Sequence, residues 1–242
     1  MKLIKSKTPI DNEKKIPIKE RIREIVKRPK TKFLSKNQEI YWNTLNDNQI
    51  TLCFGPSGTG KSFIALKKAI DLICDEDNKY EKIVIVRPAI ESADQGHSIG
   101  MLPGNLDEKM DPYIQPSFHI LNKIIGKDAT KKLKDNKVIE MLSLNYIRGW
   151  SIDNSILILE ESQNTTPSEM KLILTRIGFN SKFFISGDIE QSDRFKDKSL
   201  SGLFDAKKRL DGLNSVGVFE FDSSDIVRNP IIGEILNRYS DV

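Results

Sequence analysis

The sequence predicts an α/β fold, a doubly wound and mostly parallel sheet with helices on both faces. Three observations lead there. Short runs that are apolar throughout, or nearly so, recur at Ile50–Phe54, Ile83–Val86, Ile156–Leu159 and Phe183–Ile185, which is how strands buried on both faces read. Stretches of helical character separate them. Glycines, acids and an arginine follow the C-terminal ends of these runs, where such sheets hold their ligands.

The elements follow in order. Residues 1–33 are polar and basic, interrupted by Pro9, Pro17 and Pro29, and divide as an arm from a domain spanning 34–242. A helix fits Ile18–Val26, where Ile18, Ile22 and Ile25 share a face. Ser35 suits the N-cap of a helix reaching about Leu45. The strand at Ile50 leads through a glycine loop into a helix carried on from Phe63. Strand Ile83–Val86 ends at Arg87-Pro88, and residues 89–116, rich in Gly, Pro and Asp, read as a long functional loop. A helix over Phe118–Leu133 breaks at Gly126, and a strand fits Val138–Leu142. After Ile156–Leu159, Thr166, Pro167 and Glu169 form a capping box with proline at the first helical position, and Gly178 stops that helix. Strand Phe183–Ile185, helix 199–210, strand Val216–Phe221 and helix 231–239 complete the chain.

The chemistry centres on Gly55-Pro56-Ser57-Gly58-Thr59-Gly60-Lys61-Ser62, the G-x-x-x-x-G-K-S pattern between a strand and a helix. Glycines let the backbone turn its N–H groups inward at a helix N-terminus, which makes a cradle for phosphate. Lys61 would reach the β- and γ-phosphates, and the Ser62 hydroxyl would sit on Mg²⁺. Four apolar residues before Glu160-Glu161 match the magnesium strand of such P-loop NTPases. Glu160 would orient Mg²⁺ through water and Glu161 would polarise the attacking water. Beyond the strand at Phe183, Asp188 and Gln191 are candidates to sense a γ-phosphate, and a bland Gly-Asp turn is the other reading. Gln38 could pair with an adenine edge or be an ordinary helix residue. Arg87 could contact phosphate or be structural.

Residues 1–36 hold 13 Lys and Arg against 4 Asp and Glu, a local +9 in a chain of net +4. Such an arm can hold nucleic acid by phosphate neutralisation, or it can be a solvated tail. Two cysteines and two histidines make neither a disulfide framework nor a metal-ligand pattern. No run has the length of a membrane span or a signal peptide, so a cytoplasmic location is expected.

Further segments carry a resemblance over about Gln38–Tyr239. They are Arg87-Pro88-Ala89, Gly100-Met101-Leu102-Pro103-Gly104-Asn105-Leu106, Tyr146-Ile147-Arg148-Gly149, Gln163-Asn164-Thr165-Thr166-Pro167, Leu174-Thr175-Arg176-Ile177-Gly178-Phe179 and Asp225-Ile226-Val227-Arg228-Asn229-Pro230. With the glycine loop, they resemble the PhoH-like P-loop ATPases, in the short form found in bacteriophages. The resemblance implies a RecA-like domain related to superfamily 1 helicase cores. It also implies ATP and Mg²⁺ as ligands, single-stranded nucleic acid (RNA ahead of DNA) as partner, and a homo-oligomer such as a hexameric ring. In that setting Arg228 or Arg176 would complete a site, in cis or from a neighbouring subunit. The family usually has Asp-Glu-Ala-Gln where this chain has Glu160-Glu161-Ser162-Gln163, so the first acid is one methylene longer. Asn229 stands where the family often has His.

The expected activity is ATP hydrolysis coupled to binding, translocation along or unwinding of nucleic acid. A nucleotide-dependent switch with little hydrolysis is the alternative, and a small-molecule phosphotransferase ranks last.

Overall fold

The computed structural model describes residues 17–88 and 106–227, together with Arg238. Six strands form one sheet: β1 (Ile50–Phe54), β2 (Lys82–Arg87), β3 (Ile139–Ser143), β4 (Ser155–Leu159), β5 (Lys182–Gly187) and β6 (Val216–Glu220). Their order is β3-β2-β4-β5-β1-β6, and every pairing is parallel. This is the RecA-like arrangement, with β5 inserted between the loop-bearing β1 and the acid-bearing β4.

Alternation along the strands explains why both faces need covering. Cys53, Ile156, Ile158 and Phe184 join one core cluster, with Tyr41, Leu45, Ile64, Ile70, Leu121 and Leu133. Their neighbours Leu52, Phe54, Leu157, Leu159, Phe183 and Ile185 join the other, with Met170, Ile173 and Leu203. A strand buried on both sides must be apolar at nearly every position, which the central strands are. The first face is covered by α1 (Ile18–Ile25), α2 (Lys36–Asp47), α3 (Lys61–Cys74), α4 (Leu106–Ile125) and α5 (Lys127–Asp135). The second is covered by α6 (Pro167–Leu174) and α7 (Gly202–Leu210).

The local signals act as expected at several ends. The Ser35 hydroxyl accepts from the Gln38 N–H at 3.2 Å. Gly126 separates α4 from α5, and Thr166 with Glu169 closes a full capping box behind Pro167. The stretch 106–116 departs from the long loop that its composition predicts. There α4 starts at Leu106 and runs through Pro112 and Pro116. A proline inside a helix loses one backbone bond and crowds the carbonyl four residues back, so two of them argue locally for a loop. The predicted helix at 231–239 lies outside the described residues.

Part of the basic N-terminal stretch packs on the domain. Ile22 and Val26 are buried in the cluster that holds α3. Lys19 donates to the carbonyls of Ile73 and Asp75 at 3.1 Å each, at the C-terminal end of α3, where a positive charge complements the helix dipole. Arg28 pairs with Asp71 at 2.5 Å and Asp75 at 3.1 Å. These two cations are therefore engaged by the protein itself.

Both cysteines are buried, and burial raises the Cys53 thiol to about 12 and the Cys74 thiol to about 11. Below the ordinary value of 9.0 neither state is ionised. Above it the unfolded thiols ionise first, so this contribution to stability is lost as pH rises from there toward about 12. The native protein is expected to resist a disulfide thiol reagent at about pH 8, and both thiols should react in concentrated guanidinium. Rapid labelling of the native protein would contradict this packing.

Candidate nucleotide site

The parallel sheet sets the tips of β4, β5 and β1 side by side. With strands about 4.8 Å apart, the β1 and β4 tips lie roughly 10 Å from each other, on either side of β5. The loop Gly55–Ser62, the acids Glu160-Glu161 and the turn from Asp188 to Gln191 all leave the sheet at this edge.

The loop needs its glycines. Gly55, Gly58 and Gly60 have φ of 138°, 94° and 95°. A Cβ on Gly55 would meet the Phe221 carbonyl oxygen at 2.6 Å, and Gly60 is the left-handed N-cap of α3. Lys61 Nζ donates to the carbonyls of Gly55 at 2.6 Å and Pro56 at 2.8 Å, which bends its side chain back over the loop. Thr59 Oγ1 donates to the Pro56 carbonyl at 3.1 Å, and Ser57 and Ser62 are half-exposed, Ser62 on the first turn of α3. Two distant segments grip the loop from outside. The Val227 N–H donates to the Gly58 carbonyl at 3.2 Å, and Gln38 Nε2 donates to the Thr59 carbonyl at 3.1 Å.

Gln38 is accordingly buried, and its Oε1 accepts from the Leu34 N–H at 3.0 Å. In this structure its amide braces the loop and is not an exposed helix residue. Asp225 joins the same frame: buried, it accepts from Asn37 Nδ2 at 2.9 Å and the Asp222 N–H at 3.1 Å.

Glu160 is 1% exposed. Its Oε2 accepts from Arg87 Nη2 at 2.9 Å, Arg87 Nε at 3.1 Å and the Ser117 hydroxyl of α4. Arg87, left open between phosphate contact and structure, thus places two donors on the acid. The other oxygen of Glu160, Oε1, is buried without a hydrogen-bond partner among the described residues. A buried carboxylate oxygen of that kind suits a water held by a divalent cation. No group of three or more His, Cys, Asp and Glu among the described residues could hold a metal by itself. An ion here would lean on phosphate oxygens as well, as Mg²⁺ commonly does, and Ser62 with Glu160 fits that arrangement.

Glu161 has φ 52°, ψ 35°, a left-handed conformation, and the residue is exposed at the sheet edge. Asp188 is buried: burial lifts its carboxyl above the ordinary carboxylate value, against the pull of the Lys61 charge. Its Oδ2 also has no hydrogen-bond partner among the described residues. Gln191 is exposed and, with Asp188, Gly55 and Phe221, lines a cleft of about 370 Å³ beside the loop.

Arg176 lies elsewhere. Its carbonyl accepts from the Ile152 N–H at 2.9 Å, ahead of β4, while Glu160 follows that strand's other end. At about 3.3 Å per residue, the length of the strand separates Arg176 from the loop edge. The expectation that it could complete its own chain's site therefore fails, because α6 returns the chain to the opposite edge of the sheet. Arg228 lies outside the described residues.

Spacing in the sequence missed Ser117, one residue ahead of the expected helix and inside α4, and Asp225, whose partners Ser35 and Asn37 lie near the other end of the chain.

The loop and the parallel sheet around it have the form of a P-loop NTPase, and comparison with known proteins gives the family. The family profile described as "PhoH-like protein" matches residues 30–240. This chain belongs to the PhoH family. A PhoH-like protein of Bacillus subtilis is 39% identical over 219 residues, covering 89% of this chain and 67% of that protein. One from Mycobacterium leprae is 37% identical, covering 88% of this chain and 58% of the relative. The chain thus spans between about half and two thirds of the length of these relatives. A solved large terminase from a thermophilic bacteriophage, in complex with ADP, aligns with 84% of this chain and 49% of its own, at 12% identity and a TM-score of 0.47. That similarity is too distant to bear on function.

Replacing Gln38 with Ala leaves the Thr59 carbonyl and the Leu34 N–H unpaired. It is expected to cost about 1–3 kcal/mol in a guanidinium unfolding titration and to weaken nucleotide binding. Unchanged stability with a lost preference for adenine over guanine nucleotides would instead identify Gln38 as a base reader.

Proposed function

We propose that this chain hydrolyses ATP and couples the turnover to single-stranded nucleic acid, RNA ahead of DNA, as a homo-oligomer for which a hexameric ring is the expected form. The observation behind the hydrolytic part is the convergence of a phosphate loop, an acid pair and a polar strand tip at one sheet edge. The nucleic-acid and ring parts rest on the family resemblance.

In this reading, the backbone N–H groups of Gly55–Ser62 hold the phosphates, and Lys61 leaves the loop carbonyls to neutralise β- and γ-oxygens. Mg²⁺ held by Ser62 and, through water, Glu160 would neutralise charge on the phosphate oxygens. Glu161 takes the proton of the attacking water. The water oxygen bonds to the γ-phosphorus as the bond to the β,γ-bridging oxygen breaks, and ADP leaves with that electron pair. Gln191 reads the γ-phosphate from the neighbouring strand tip. Arg176 can serve only a neighbouring subunit's site, and Arg228 is the other arginine proposed for that charge.

One observation favours a second reading, a nucleotide-dependent switch with little hydrolysis. Glu160 is already engaged by Arg87 and Ser117 through Oε2, and it is longer than the family's usual Asp. Hydrolysis then needs Oε1 alone to serve the cation.

Phosphate release by the purified chain, with and without RNA or single-stranded DNA, separates the two readings, and a mass measurement of the particle tests the ring. Lys61→Ala is expected to abolish turnover, and Glu161→Gln to bind ATP while turning over at least ~100-fold more slowly. Normal turnover by Glu161→Gln would remove Glu161 from the mechanism. No turnover by the unaltered chain under any of these conditions favours the switch.

A further inference from the structure

Gln163 follows the acid pair on a single 3-10 turn, Ser162–Asn164, and is 1% exposed. Its amide makes three hydrogen bonds. Oε1 accepts from the Asp188 N–H at 3.1 Å, and Nε2 donates to the Gln191 carbonyl at 3.3 Å and to Glu161 Oε2 at 2.8 Å. These partners fix which end of the amide is which. A backbone N–H can only donate, so the oxygen faces Asp188. A carbonyl can only accept, so the NH₂ faces Gln191, and its other hydrogen is left for Glu161.

The amide is also confined. A Cβ on Gly187 would lie 2.5 Å from Gln163 Oε1 and 2.9 Å from its backbone nitrogen, so the turn packs directly on the end of β5. The Ser162 hydroxyl donates to the Ser186 carbonyl at 2.8 Å and ties the same turn to the same strand. Glu161 contrasts with this. It is exposed, so its side chain would otherwise sample several rotamers, while its backbone is held in a left-handed conformation. A hydrogen bond from a buried, locked amide selects one orientation of that carboxylate.

We infer that Gln163 is a positioning residue that couples the tip of β5 to Glu161. The amide holds Asp188 and Gln191 with one hand and the carboxylate with the other. A displacement of the 188–191 turn when a γ-phosphate arrives or leaves therefore re-aims Glu161. This role rests on the hydrolytic reading above and adds to it the element through which the strand tip governs the base.

Two variants test it. Gln163→Glu keeps the size and the acceptor for Asp188 but turns a second oxygen toward Glu161. Two facing carboxylates retain a shared proton to higher pH, so the acid limb of the kcat–pH profile should move up by about one unit or more. kcat near neutrality should fall at least ~10-fold. Gln163→Met removes the donor to Glu161, along with the acceptor for the Asp188 N–H, without adding charge: kcat should fall by a similar factor with the acid limb in place. In both, titration with a fluorescent ATP analogue should give an affinity within about threefold of the unaltered chain, because no phosphate contact is removed. If Gln163→Glu does not fold, Gln163→Met decides by kcat against affinity alone. Profiles and kcat superimposing on the unaltered chain overturn the role, and so does a loss of affinity matching the loss of kcat. An unaltered chain that does not hydrolyse ATP removes the hydrolytic reading and this role together. An active unaltered chain beside equally active variants removes the role alone.

Discussion

The insertion of β5 between β1 and β4 sets every distance at the candidate site. Were β4 paired directly with β1, the acids would stand one strand spacing from the loop, about 4.8 Å, with no room for a phosphate and an ion between them. The intervening strand opens that gap and also places its own tip, Asp188–Gln191, in the middle of it. The register is held by alternation: shifting β5 by one residue would exchange Phe183 and Ile185 with Phe184 between two differently shaped cores.

A second constraint is electrostatic. Glu160 is an almost completely buried carboxylate, and burying a charge without a partner is costly. Arg87 meets the need from the end of β2, adjacent to β4 in the sheet, with two donors on one oxygen. The extra methylene of Glu relative to Asp lengthens the reach from the strand toward that guanidinium and toward Ser117. The same pair that makes the acid tolerable in the core also competes with any cation for it. Affinity for a divalent ion is thereby set by a balance inside the protein as well as by the ligands alone.

Much of this could be read from the chain because local signals and fold agree. Four almost entirely apolar runs became the four central strands, and Ser35, Gly126 and the Thr166–Glu169 box became element ends. The loop, the acid pair and the β5 tip were placed at one edge by topology alone. What could not be read depends on contacts with no sequence period. Pro112 and Pro116 argue against helix on local grounds, yet α4 includes them. Arg87 gave no sign of its partner, because Glu160 lies 73 positions away. Arg176 sits in a motif-like run, and only the fold reveals that it lies beside the start of β4, at the other end of that strand from Glu160. Gln163 stands beside the acids in the sequence, but its amide matters only because the β5 tip closes over it.

The double grip on the loop has a consequence for how the protein comes into being. Gln38 holds Thr59 from 21 positions upstream, and the segment that reaches Gly58 through Val227 is locked to α2 by Asp225 and Asn37, 188 positions apart. Contacts of such long separation form late, because the chain between them must be ordered first. A chain emerging from the ribosome carries the whole glycine motif once Ser62 has been added. The frame that shapes that motif into a cradle is complete only after Val227 has been made. Competence to hold a nucleotide is thus tied to completion of the domain, and an unfinished chain carries the motif without the site.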